Sequence, residues 1–228
     1  MAKKEVVQGI FNDIAPKYDL LNHLLSLNID KRWRRKAMRY IEEKGRLLDV
    51  ACGTGDFSIA AYRAGVRQVT GIDISENMVK IGKKKIRELE LTDYIDLRTG
   101  DSEHLEFGSE EFDVVTVAFG VRNFEHLEVG LREMHRVLKK QGKVIILEFS
   151  MPEHFPMKQL YKLYFRHVLP VVGGWISGNK GAYTYLPESV MKFPQGQEFL
   201  TILQRCGFRQ TVQKKLSGGI ASLYVGVK

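Results

Sequence analysis

The sequence predicts an α/β protein built on a mostly parallel sheet, and three observations predict it. Leu47 to Ala51 is a short apolar run with one acid, Asp49, and it leads into Gly53-Thr54-Gly55. Beyond that turn, Phe57, Ile59, Ala60, Ala61 and Ala64 recur at helical spacing, so strand, glycine turn and helix follow one another. Four further apolar runs alternate with helical patterns as far as Phe149. That rhythm is the one that right-handed strand–helix–strand crossovers give a parallel sheet.

The chain in order supports this. Val6, Val7, Ile10, Phe11 and Ile14 form one amphipathic face that stops before Pro16. Tyr18 and Asn22 are four apart and share a helix face. A third helix is expected from Asp30, as N-cap, with Lys31, Arg32, Arg34, Arg35, Lys36 and Arg39 as a basic face. Strands follow at Leu47–Ala51, Val69–Asp73, Tyr94–Thr99, Phe112–Phe119 and Lys143–Phe149. The helices between them include Ser75–Leu89, capped by Ser75 and with Lys83-Lys84-Lys85 on its outer face, and Leu127–Lys139. After Ser150 the alternation stops for an aromatic segment holding Phe155, Tyr161, Tyr164, Phe165, Trp175, Tyr183, Tyr185 and Phe193. It reads as an apolar lid that includes a helix near Met157–Val168. A helix at Gln197–Arg205 then leads to Phe208–Lys215 and Ile220–Val227, joined by Ser217-Gly218-Gly219. That hairpin makes the last strand antiparallel.

Composition bounds the function. A chain of 228 residues, 44% of them apolar, suits a single domain with a sizeable core. We expect one domain over 1–228, with a helical cap at 1–45 and a substrate lid insertion at 150–194. Cys52 and Cys206 lie far apart without metal-ligand spacing, so a reduced cytoplasmic protein with no metal is expected. The first residues, Met1-Ala2-Lys3-Lys4-Glu5, lack the apolar core of a signal peptide. No run reaches the eighteen or so apolar residues of a membrane span; the nearest, Val168–Ile176, is broken by Pro170, Gly173 and Gly174. The net charge of +8 calls for an anionic partner, either RNA or a negatively charged membrane surface.

Three acids identify the ligand. The third glycine of a dinucleotide fingerprint is replaced here by Ser58, which argues against NAD. Gly53 and Gly55 let a ligand approach the backbone, where a Cβ would collide with it. Asp49, at the loop mouth, can orient the loop amides or meet an ammonium. Asp73 ends the second strand and can accept from both ribose hydroxyls. Asp101, in Gly100-Asp101-Ser102, can accept from an adenine amino group. A cationic adenosine compound without phosphate fits: S-adenosylmethionine (SAM). Arg122 and Asn123 follow the fourth strand, where ligands of such sheets bind, and so face the reaction centre. The expected fold is therefore a Rossmann-like SAM-dependent methyltransferase, with a seven-stranded, mostly parallel sheet and an antiparallel last strand.

Two signatures then carry a resemblance. Tyr18-Asp19-Leu20-Leu21-Asn22 with Ser26 and Trp33 is the first; Arg136-Val137-Leu138-Lys139 through Gly142 to Glu148-Phe149-Ser150 is the second. With Phe119-Gly120-Val121-Arg122-Asn123 between them, the chain resembles the ubiquinone/menaquinone biosynthesis C-methyltransferases (UbiE/MenG type) over its whole length. It departs from that pattern at Leu21, Asp30, Ala118 and Lys140-Gln141. The resemblance implies that Thr54, Asp73, Asp101 and Ser102 bind SAM, and that Tyr18, Arg122 and Asn123 serve the reaction. It also implies a polyprenylated hydroquinone as acceptor, with demethylmenaquinol preferred over a 2-methoxy-6-polyprenyl-benzoquinol. An apolar acceptor suits an enzyme at the inner face of the cytoplasmic membrane; homo-oligomers are compatible with all of this. The competing readings are an RNA methyltransferase and a non-catalytic SAM-binding assembly subunit. Against the first, the fourth strand ends Ala118-Phe119-Gly120, without the Asn/Asp-Pro-Pro-aromatic turn that grips a flipped base. Against the second stand the intact loop and the Arg122-Asn123 pair.

Overall fold

The computed structural model describes residues 3–42, 44–164 and 180–228, without the side chains of residues 21, 24, 25, 162 and 180–184. Within them seven strands form one sheet: β1 Arg46–Val50, β2 Gln68–Asp73, β3 Ile95–Thr99, β4 Phe112–Ala118, β5 Leu138–Phe149, β6 Arg209–Leu216 and β7 Ala221–Val227. Their order is β3-β2-β1-β4-β5-β7-β6. Neighbours from β3 to β5 pair in parallel, and β7 runs antiparallel between β5 and β6. The central strand has the reason for its place in its own sequence. Leu47, Leu48 and Val50 are all at most 1% exposed, with Leu47 in the core on one face and Leu48 in the core on the other.

Among the described residues the α-helices are α1 Lys4–Ile14, α2 Tyr18–Leu25, α3 Ile29–Met38, α4 Asp56–Arg63, α5 Glu76–Glu88, α6 Leu127–Val137, α7 Met157–Leu163, α8 Lys180–Lys192 and α9 Gln197–Arg205. Trp33 and Ala37 of α3, Phe57 of α4 and Ile86 of α5 fill one core layer; Leu131 and Met134 of α6 and Phe199 of α9 fill the other. Ser75 caps α5 as its sequence announces, its Oγ accepting from the Met78 amide. The order of strands reverses between β1 and β4, which opens the ligand crevice at their carboxyl ends. Residues of α1, α2 and α3 line the cavities there.

Three local expectations change. Asp30 is not the N-cap of α3: Asn28, at φ +58°, holds that place, and Asp30 lies inside the first turn, 2% exposed. Its carboxylate accepts from Ser26 Oγ at 2.6 Å and is bonded to Arg34 Nη1, which explains why it turns inward. Helix α6 stops at Val137, because Leu138 already pairs with Phe112 in the sheet. Lys85 belongs to no outer face: it bends inward to carboxylates of other helices, as described below. Of the expected lid, α7 begins at Met157; Phe165, Trp175, the run 168–176 and the side chain of Tyr183 lie outside the described residues.

Candidate active site

Three cavities meet at the carboxyl ends of β1 and β4. A cleft of about 70 Å³ is lined by Asp73, Gly100, Asp101 and Ser102 on one side and by Lys4, Phe11 and Asn123 on the others. A pocket of about 20 Å³ lies against the glycine loop, among Gly53, Thr54, Asp49, Asp56 and Arg34. The third, about 280 Å³ and mostly apolar, is lined by Trp33, Phe149, Leu160, Tyr161, Leu186 and Arg122, among others. Tyr18 and Phe119 line all three, so their side chains form the common wall. Phe119 takes that place with φ +59°, just past the end of β4, a conformation that few bulky residues adopt. The Trp33, Phe119 and Phe149 rings pack against one another, with Phe119 and Phe149 4.5 Å apart.

The cleft gathers the acids at the carboxyl ends of β2 and β3. Asp73 Oδ2 accepts from the Gly53 amide and Oδ1 from the Ser75 amide, each at 2.8 Å, which fixes the carboxylate at the end of β2. Burial pushes its carboxyl up and the two amides pull it back, so its charge depends on donors around it. Asp101 Oδ1 accepts from the Glu103 amide, and Oδ2 is paired with Lys4 Nζ at 2.6 Å. Lys4 thereby ties α1 across the cleft. Gly53 earns its glycine: φ is +56°, and a Cβ would stand 3.7 Å from the Tyr18 ring, in the cleft wall. Gly55 does not. It lines none of the three cavities, and its Cβ would point at Leu97 Cδ1, 3.1 Å away in the core. Its φ of +81° shapes the turn into α4 rather than an approach to a ligand.

Asp49 also sits differently from its expected place. It lies beneath the loop rather than at its mouth, fully buried, and accepts from Ser58 Oγ at 2.7 Å and Thr116 Oγ1 at 2.9 Å, not from loop amides. It still lines the small pocket. Burial raises its carboxyl to about 6, against the pull of the two hydroxyls. Thr54 is equally engaged: Oγ1 donates to Asp19 Oδ1 at 2.5 Å and accepts from Lys85 Nζ at 3.2 Å. Lys85 also bonds Asp19 at 2.6 Å and Asp56 at 2.8 Å, so α2, α4 and α5 are joined at the loop by one charged cluster. Its ammonium is raised despite burial, because Asp56 and Asp19 stand beside it.

Arg122 and Asn123 are consecutive on a short turn of 3₁₀-helix, yet they face different cavities, the large one and the cleft. Arg122 is 7% exposed; Nη1 donates to Glu148 Oε1 at 2.7 Å and to the Phe119 carbonyl, and Nε donates to Ser189 Oγ at 3.2 Å. Its guanidinium carbon is 5.5 Å from the Phe149 ring centre. Asn123 Oδ1 accepts from Tyr185 Oη at 2.9 Å. Burial raises the Tyr18 phenol, with the Asn22 hydrogen bond and the charges of Arg122 and Arg34 opposing it, so Tyr18 is a hydrogen-bond donor at neutral pH. Four participants were not singled out from sequence: Glu148, Ser189, Arg34 and Lys85. Glu148 left a trace, an acid at the end of an apolar strand, and Arg34 another, its position four residues after Asp30. Among the described residues no cluster of potential metal ligands occurs.

The whole chain, residues 1–228, matches the model of the ubiE/COQ5 methyltransferase family. It is 44% identical over 229 residues to a demethylmenaquinone methyltransferase of Bacteroides fragilis, covering 99% of this chain and 94% of that protein. It is 46% identical over 230 residues to the ubiquinone/menaquinone biosynthesis C-methyltransferase UbiE of Geotalea uraniireducens, covering 99% and 97%. A SAM-dependent methyltransferase from Aquifex aeolicus superposes with a TM-score of 0.63 at 16% identity, covering 85% of this chain and 88% of that one.

Proposed function

We propose a reaction for a chain that belongs to the ubiE/COQ5 methyltransferase family. It is a SAM-dependent C-methyltransferase of quinone biosynthesis, and its reaction is the methylation of demethylmenaquinol to menaquinol. The observation that supports this acceptor most is the large apolar cavity. It takes a ring and the start of a prenyl chain, and a buried, pinned cation stands in its wall. SAM, when bound, supplies an electrophilic methyl group. Asp73 would hold its ribose, Asp101 and Ser102 its adenine, and the pocket at Gly53, Thr54 and Asp49 its amino-acid tail.

The remaining chemistry falls to residues of this chain. A hydroquinol ring carbon becomes nucleophilic as its neighbouring hydroxyl loses a proton, and a phenol keeps that proton up to a pH of about 10. A fixed cation favours the phenolate, and in a water-poor cavity such a donor is worth about 3 kcal/mol. Arg122 meets that need because Glu148, the Phe119 carbonyl and Ser189 fix its position before any ligand arrives. Arg122 stays protonated, so it orients a water that takes the phenolic proton; as the methyl leaves sulfur for the ring carbon, that carbon's own C–H proton is lost, the hydroxyl is restored and one proton goes to solvent. Tyr18, in the common wall, donates to a ring oxygen and helps to hold the ring against the cleft. The prenyl tail leaves past Leu27 and Leu160, which line the cavity and are 77% and 56% exposed. The exposed Lys31, Arg32 and Arg35 of α3 bring that mouth to an anionic bilayer. Among the described residues no helix is long and apolar enough to cross a membrane.

The test is methylation in vitro. The purified chain, SAM and chemically reduced demethylmenaquinone with a short prenyl tail are mixed, and product mass is followed. The expected result is a gain of one methyl on the naphthoquinol. Methyl transfer only to a 2-methoxy-6-prenyl-benzoquinol would replace the acceptor, and no transfer to either would remove the quinone reading.

A further inference from the structure

Arg34 belongs to the basic run of α3, but the fold turns it away from the exposed face. It is 9% exposed, with Nη1 bonded to Asp30 and 3.6 Å from Asp56 Oδ2, and its guanidinium carbon is 5.9 Å from the Phe119 ring centre. Its Nε is buried and has no hydrogen-bond partner among the described residues. An N–H left buried without an acceptor costs roughly 1–3 kcal/mol, more on a charged group, so the arrangement calls for an anion. Arg34 lines the pocket at the glycine loop, together with Asp49, Gly53 and Thr54.

We propose that Arg34 binds the α-carboxylate of the SAM tail, so that the pocket at the loop is a subsite for an amino-acid zwitterion. The pairing follows from charge. A tail with one carboxylate and one ammonium needs a cation and an anion within a few ångströms of each other. Arg34 and Asp49 are that cation and anion in one small pocket, and Asp56, its other nearby acid, is already held by Lys85 at 2.8 Å. A neutral quinol ring in the same place brings no anion to the buried Arg34 Nε–H, whereas a carboxylate does. Arg34 also lines the acceptor cavity, where Arg122 already offers a pinned guanidinium to the ring. Asp30 and Asp56 flank Arg34 and hold its fork next to the loop. The assignment rests on reading the loop pocket as the place of the SAM tail.

Two ligands separate the outcomes. S-adenosylhomocysteine carries the amino-acid tail; 5′-methylthioadenosine carries the same nucleoside thioether without it. Calorimetric titration of the intact chain and of Arg34→Lys and Arg34→Gln reads both. Removing a charged hydrogen bond of this kind weakens binding roughly 10- to 100-fold. We expect that loss for S-adenosylhomocysteine in Arg34→Gln and a smaller one in Arg34→Lys, with 5′-methylthioadenosine changed less than about twofold, within the spread of a bystander site. Unchanged binding of the nucleoside also reports a folded cleft. Parallel loss of both ligands makes Arg34 a structural residue and overturns the assignment, as does unchanged binding of both. Loss confined to the quinol KM overturns it in favour of the acceptor. An unmodified chain that binds neither ligand removes the SAM-cleft reading itself.

Discussion

At the scale of the residue, the site depends on charges held where water cannot screen them. Glu148 is fully buried, and burial raises its carboxyl while Arg122 pulls it down. Glu148→Gln leaves the Arg122 charge in the interior without its counter-ion, a loss that costs about 3 kcal/mol of stability in comparable buried pairs. We expect kcat to fall roughly 10- to 100-fold with the KM for SAM unchanged, since a misplaced guanidinium stabilises the phenolate poorly. Steady-state kinetics check this, and an unaltered kcat would deny Glu148 its positioning role. Asp49 makes a pH-dependent statement. Its folded carboxyl is raised to about 6, above the unfolded value of about 3.9. Stability linked to the protonated group is thus fully present below about pH 4 and is lost as pH rises through 6. Asp49→Asn removes that loss, so its stability relative to the parent should improve by about 1 kcal/mol between pH 5 and pH 7.5. Urea unfolding at the two pH values measures it, and a difference that does not move with pH would contradict it. The same variant should bind S-adenosylhomocysteine more weakly, because the ammonium loses its anion.

At the scale of the element, α3 divides its charges between two tasks. Lys31, Arg32 and Arg35 are exposed, whereas Arg34 joins the buried cluster with Asp30 and Asp56. On the proposed membrane role, each of the exposed three is worth about 1 kcal/mol at an anionic surface. Reversing them together, Lys31→Glu, Arg32→Glu and Arg35→Glu, should abolish sedimentation with phosphatidylserine vesicles at low salt. Turnover of a short-tailed, water-soluble quinol should persist. Equal vesicle binding by the variant would leave α3 without a membrane role. Helix α2 shows a different division of labour: Tyr18 and Asn22 face the large cavity, while Asp19 ties the helix to Thr54 and Lys85.

At the scale of the molecule, the candidate ligand site is assembled from distant parts of the chain. Lys4 of α1 reaches Asp101 after β3, Tyr18 of α2 lines the same cavities as Phe119 after β4, and Tyr185 of α8 bonds Asn123. A ligand bound there must stabilise all of them at once. With S-adenosylhomocysteine at one hundred times its Kd, linkage adds about 2.7 kcal/mol. That corresponds to a Tm rise of roughly 5–10 °C for a chain of this size. Amide exchange should slow in α1 and α2 as well as in the glycine loop. Slowing confined to the loop would mean that the N-terminal helices do not enclose the ligand.

The sequence by itself determined the sheet, the loop and the family. Strand periodicity placed β1, β2 and β4 within a residue or two, Ser75 announced its helix, and Ser217-Gly218-Gly219 announced the closing hairpin. These signals are local, since burial on one or both faces dictates which residues recur and at what spacing. The tertiary structure alone decided which way the charged residues turn. Lys85 and Arg34 stand in basic runs that look like solvated faces, and Asp30 looks like a cap. Lys85 turns inward because the fold brings Asp19 and Asp56 to it; Arg34 and Asp30 pair with each other along α3, and the fold buries that pair beside Asp56 of α4. Gly55 and Asp49 likewise have the right residue types for a ligand loop, but their surroundings, Leu97 for one and Ser58 and Thr116 for the other, come from the packing of β3, α4 and β4. A side chain's periodicity is fixed by its neighbours in sequence, and its electrostatic partner by the fold.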